Sequence, residues 1–77
     1  MLIEVFGPGC AKCQMLEQHA RRAVEQSGGI HQVVKVSDYA VMAARGIMST
    51  PALALDGQVK FQGRVVGSDQ ILALIKG

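Results

Sequence analysis

With 77 residues, 49% of them hydrophobic and 18% charged, the chain can form one small folded domain, residues 1–77, and is too short for two domains. The net charge of +2 is spread over cations interspersed with carboxylates, without the basic stripe and stacking aromatics of a nucleic-acid binder, so no nucleic-acid partner is expected. No apolar run approaches the roughly 18 residues of a membrane span and no secretory pattern follows Met1, so no membrane association is expected and a reducing cytoplasm is the expected compartment.

Leu2 to Phe6 is a short apolar run ended by Gly7-Pro8-Gly9, which reads as a buried strand entering a tight loop. From Ala11 to Ser27 the apolar residues Cys13, Leu16, Ala20, Ala23 and Val24 recur at spacings of three and four, one face of an amphipathic helix that Gly28-Gly29 stops. His31 to Val36 reads as a second strand. Ser37 or Asp38 can cap a short helix over Tyr39 to Arg45, ended by Gly46. Pro51 to Leu55 is a third strand, and Asp56-Gly57 is a dipeptide favoured in two-residue hairpin turns. The fourth strand carries Val59 and Phe61 in alternation with Lys60 and Gln62, and is expected to extend past a bulge at Gly63 toward Val65. Ser68 is the expected N-cap of a last helix with Asp69 in its first turn and Ile71, Leu72, Leu74 and Ile75 as its apolar face.

The element order β-α-β-α-β-β-α fixes much of the topology. Its opening βαβ unit requires a parallel strand pair with a right-handed crossover, and the hairpin adds two antiparallel strands. The expected architecture is α/β, a four-stranded mixed sheet flanked by three helices, with the first strand central and the cysteine loop at its C-terminal end.

Cys10 and Cys13 enclose two residues, so a disulfide between them would restrain the unfolded chain little, because loop-closure entropy grows with loop length. The pair is better explained by chemistry. Cys10 falls where the free N–H groups and positive dipole end of the first helix favour an anion, an arrangement that lowers a thiol pKa from about 8.5 into the range of roughly 3.5 to 7.5. Lys12 adds a positive charge of the right sign to stabilise the thiolate. Cys13 lies on the apolar helix face with Leu16 and Ala20, so it is expected to be more buried and less ionised. Spaced i, i+3, the two sulfurs can close a disulfide, with Cys10 attacking a substrate disulfide and Cys13 resolving the mixed disulfide. This chemistry needs no cofactor. The same pair could instead serve a soft-metal (Cu or Zn) binding or delivery module, although two thiolates leave zinc short of its usual four ligands.

The strand, the Gly7-Pro8-Gly9 loop, Cys10-Ala11-Lys12-Cys13 and the following helix, with Ser49-Thr50-Pro51 opening a later strand, together resemble the thioredoxin and glutaredoxin superfamily. The nearest likeness is to its small redox-active disulfide proteins of bacteria and archaea. The resemblance implies a minimal thioredoxin-like fold and a thiol-disulfide oxidoreductase acting on disulfide-containing proteins or small molecules, recharged by a separate reductase. It also implies a cis Thr50-Pro51 bond packed against the cysteines, with Thr50 backbone groups pairing with an extended substrate. The aromatic between the cysteines that glutaredoxins carry, and the Trp and Gly-Pro of thioredoxins, are missing here, so glutathione use and redox potential stay open.

Glu4 breaks the apolar pattern of its strand, and a buried carboxylate is costly unless paired or protonated. It matches the place where thioredoxins keep a buried acid, which makes it a candidate proton acceptor for Cys13; the alternative is an edge-exposed side chain without a role. His19 and His31 share no short ligand spacing with the cysteines and read as capping or solvated. Met15, Met42 and Met48 read as core or rim residues, Met48 being placed to line a substrate groove.

Overall fold

A computed structural model describes residues 1–77. Its elements are β1 (Leu2–Phe6), α1 (Ala11–Ser27), β2 (Gln32–Val36), α2 (Tyr39–Ala44), β3 (Ala52–Leu55), β4 (Gln58–Gln62) and α3 (Ser68–Lys76). The sheet order is β2-β1-β3-β4, with β1 parallel to β2 and antiparallel to β3, and β3 antiparallel to β4. The expected mixed sheet with a central first strand is therefore the observed one.

Alternation along β1 divides the molecule into two cores, because successive side chains of a strand point to opposite faces. Ile3 and Val5 point one way, meeting Leu16, Ala20 and Ala23 of α1, Ile71 of α3 and Leu53 and Leu55 of β3. Phe6 points the other way, into a smaller cluster with Met42 of α2, Ile47, Ala52 and Ala54. The register explains the split: Val5 sits beside Leu53 and Ile3 beside Leu55, while Phe6 sits beside Ala52 and Glu4 beside Ala54. Small alanines on the second face leave room for the Phe6 ring. On the first face, burying each of Ile3, Leu16, Leu53 and Ile71 contributes about 1.5 to 3 kcal/mol.

The hairpin between β3 and β4 turns on Asp56 (φ 49°) and Gly57 (φ 86°). Two consecutive positive φ values are what a type I′ turn requires, and Asp and Gly tolerate them best. The irregularity in this hairpin lies elsewhere than the sequence suggests. β4 ends at Gln62, and the register shift falls at Lys60, since Phe61 pairs with Leu53 and Val59 with Ala54. Simple alternation would put Val59 and Phe61 on one face. The extra residue turns Val59 toward the Phe6 cluster while Phe61 stays in the larger core.

Two helix ends also differ from expectation. Gly67, not Ser68, is the N-cap of α3, because the Gly67 carbonyl accepts from both Gln70 N–H (3.1 Å) and Ile71 N–H (3.2 Å). Helix α2 stops at Ala44, one residue short of Arg45, which is its C-cap; Asp38 caps its start by accepting from Ala40 N–H at 2.8 Å. No helix is long and apolar enough to cross a membrane.

Candidate active site

The site begins where β1 runs out. Gly7 N–H still donates to Val36 O (2.9 Å), prolonging the β1–β2 ladder by one residue before the chain turns through Pro8 and Gly9. Cys10 follows in extended conformation as the N-cap of α1, and its carbonyl accepts the first helical bond from Gln14 N–H (3.0 Å). No acidic residue occupies the first turn of α1, so no carboxylate competes for the helix's unpaired N–H groups or offsets its positive end.

The two cysteines are free thiols with Sγ atoms 2.8 Å apart. Cys10 is exposed, and Cys13 is 2% exposed on the face of α1 that also buries Leu16 and Ala20. Their acidities diverge accordingly. The Cys10 thiol is held below its ordinary value, first by the hydrogen bond from the Cys13 side chain and then by the backbone N–H of Cys13, with that of Lys12 adding to it. Burial pushes the Cys13 thiol up, and its hydrogen bond to Cys10 adds to the shift. Lys12 thus acts on Cys10 through its backbone N–H, whereas sequence reasoning assigned the effect to its ammonium group.

Gly7 is where the separate parts of the site meet. A Cβ on Gly7 would run into Cys13 Sγ and lie 3.0 Å from Cys13 Cβ and 3.9 Å from Thr50 Cβ. Only a glycine lets the end of β1, the buried thiol and the Thr50 loop approach so closely. Its role was missed in the sequence, where Gly7-Pro8-Gly9 marks a turn without naming the neighbour that makes one glycine necessary. The Thr50-Pro51 peptide bond is cis, with Pro51 buried and Thr50 exposed. Thr50 lies outside the sheet and makes no hydrogen bond within the chain, so its N–H and C=O are open to an incoming segment.

Glu4 takes part in a different construction. It shares the α2 face of β1 with Phe6, and its carboxylate pairs with Arg45, whose Nη1 lies 3.1 Å from Oε1 and donates to Oε2 at 3.2 Å. Glu4 and Arg45 side chains are 14% and 27% exposed. Arg45 also donates to Gly57 O at 3.0 Å and stacks over the Phe6 ring, 5.2 Å from its centroid. None of these bonds runs to Cys13, and the alternative of an unpaired edge side chain does not describe Glu4 either.

His19 Nδ1 lies 2.9 Å from Val66 O, tying α1 to the segment before α3, and is not a solvated side chain. Met42 is buried, and Met48 is 92% exposed beside Thr50. No His, Asp, Glu or further Cys joins the two sulfurs in a group of three, so a soft metal would meet only a two-coordinate pair from this chain.

These features have counterparts in known proteins. A family model described as "Thioredoxin domain" matches residues 1–76. A thioredoxin of Methanothermobacter thermautotrophicus is 37% identical over 75 residues, covering 97% of each chain. A thioredoxin of Methanocaldococcus jannaschii is 32% identical over 76 residues, covering 99% of this chain and 87% of its own. The crystal structure of chloroplastic thioredoxin z superposes with a TM-score of 0.75 at 18% identity, over 97% of this chain and 74% of that one.

Proposed function

The chain belongs to the thioredoxin domain family and is a thiol-disulfide oxidoreductase, and from that premise we propose that Cys10 is its attacking thiolate and Cys13 its resolving thiol. The observation that carries the assignment is the opposed setting of two sulfurs 2.8 Å apart, one exposed with its pKa lowered and one buried with its pKa raised.

The thiolate is the nucleophile in disulfide exchange, so the more acidic, accessible sulfur attacks first. Cys10 S⁻ displaces one substrate sulfur as a thiolate, breaking the substrate S–S bond and forming a Cys10–substrate mixed disulfide. That bond removes the negative charge which, through Cys10, opposed ionisation of Cys13. Cys13 then loses its proton, attacks Cys10 Sγ and expels the second substrate sulfur. The substrate gains two electrons and two protons, and the chain is left with a Cys10–Cys13 disulfide. A separate thiol reductase returns the pair to its dithiol form. Thr50 holds an extended substrate segment by its free backbone groups beside Pro51, with Met48 offering an apolar contact. Substrates are disulfides of proteins or small molecules, and a pair that works as a dithiol reductant suits a reducing cytoplasm.

In a disulfide-reduction assay, Cys10→Ser is expected to abolish turnover and Cys13→Ser to accumulate a mixed disulfide; unimpaired turnover by both variants refutes the mechanism. Alkylation rates followed against pH give the second check. Cys10 is expected to titrate below an ordinary thiol and Cys13 above one, so that between the two midpoints Cys10 is ionised while Cys13 keeps its proton.

A further inference from the structure

We propose that Gln62, the last residue of β4, is a positioning residue that holds the Met48–Thr50 segment in the shape an extended disulfide substrate pairs with; the proposal rests on the oxidoreductase reading above. Gln62 Oε1 accepts from two successive backbone donors, Met48 N–H at 2.8 Å and Ser49 N–H at 3.1 Å. On the far side of Thr50, Gly63 N–H donates to Pro51 O at 2.9 Å. The unpaired Thr50 is thus bracketed by two ties, and both come from the end of β4.

One oxygen shared by consecutive N–H groups fixes two peptide planes at once, because rotating either plane breaks a bond. The segment from Gly46 to Pro51 belongs to no helix or strand; Gly46 and Ile47 N–H bond back to Ala43 O and Met42 O of α2, so the Gln62 bonds are what hold the next two residues, Met48 and Ser49, ahead of Thr50. Without them the segment would have to be ordered when substrate arrives, and that entropy opposes binding. The cost would fall on substrate affinity rather than on Cys10, whose acidity is set by Cys13 and Lys12. The Gln62 side chain is exposed and its Nε2 donates no hydrogen bond, so the acceptor oxygen is the part of the carboxamide in use. Glutamate supplies the same oxygen at the same reach, and leucine supplies none.

The test measures reduction of an extended peptide bridged by one disulfide, with dithiothreitol as electron source, for wild type, Gln62→Leu and Gln62→Glu. Amide hydrogen exchange at Met48 and Ser49, and the pH profile of Cys10 alkylation, are followed in the same proteins. Gln62→Leu is expected to raise KM about tenfold with a much smaller change in kcat, to lose protection at both amides and to keep the Cys10 profile. Gln62→Glu is expected to restore KM and protection. Wild-type KM or wild-type protection in Gln62→Leu overturns the proposal, as does a Gln62→Glu variant as impaired as the leucine one. Should the wild-type chain leave the peptide disulfide intact, the oxidoreductase reading falls and the proposal with it, whereas wild-type turnover matched by Gln62→Leu removes the proposal alone.

Discussion

The two ends of the sheet are built on opposite terms. At the hairpin end, Leu2 N–H donates to Asp56 Oδ1 (2.7 Å) and Asp56 N–H to Leu2 O (2.8 Å), while Arg45 joins Glu4 to Gly57 O. Side-chain charges and main-chain groups there satisfy one another. At the cysteine end, Cys10 and Met48 are exposed and Thr50 has no partner in the chain. Five residues of β1 separate the two, about 16 Å of strand. A domain this small has a thin margin of stability, and here the charged clamps sit away from the groups that must stay free to react, where only the uncharged Gln62 and Gly63 ties flank Thr50.

That contrast can be broken at either end. Gly7→Ala should have the largest effect, because its Cβ meets Cys13 Sγ and the helix or the β1 end must shift. Overpacking of this kind costs about 1 to 3 kcal/mol, and separating the sulfurs should slow resolution of the mixed disulfide at least tenfold in stopped-flow exchange; unchanged resolution would show that the close approach is dispensable. Arg45→Met attacks the hairpin end and leaves a mostly buried Glu4 carboxylate without its ion pair. A loss of about 2 kcal/mol is expected by denaturant unfolding, a fall in Tm of roughly 10 °C, with Cys10 alkylation kept at its wild-type rate. A changed alkylation rate would mean that the two ends are coupled. The smallest effect is expected of Glu4→Gln on the pH profile of Cys13, whose acidity is set by burial and by Cys10. A clear displacement of that profile would return Glu4 to the role of proton acceptor.

What could be read in the sequence was local. β1, α1 and the Asp56-Gly57 turn follow from apolar spacing and turn chemistry within a few residues, and the placing of Cys10 and Cys13 follows from where α1 begins. What could not be read depends on partners distant in the chain. The N-cap of α3 looked like Ser68 because serine is a good cap, yet the chain path brings the Gly67 carbonyl into that position. Glu4 stood out as an anomaly, but its partner lies 41 residues away at the end of a short helix. Gln62 reads as an ordinary exposed strand residue until the fold lays the Met48–Ser49 backbone against it.

The irregular pairing at Lys60 gives β4 a mixed parity. Val59 and Phe61, two positions apart, feed opposite cores, and no side chain of one core belongs to the other, so the sheet itself is the only wall they share. An exposed lysine therefore works as a phase marker. Deleting it would remove little surface and no core atom, yet one of its neighbours would be carried to the wrong side of the wall while Gln62, the hold on the substrate loop, stood on the same short strand.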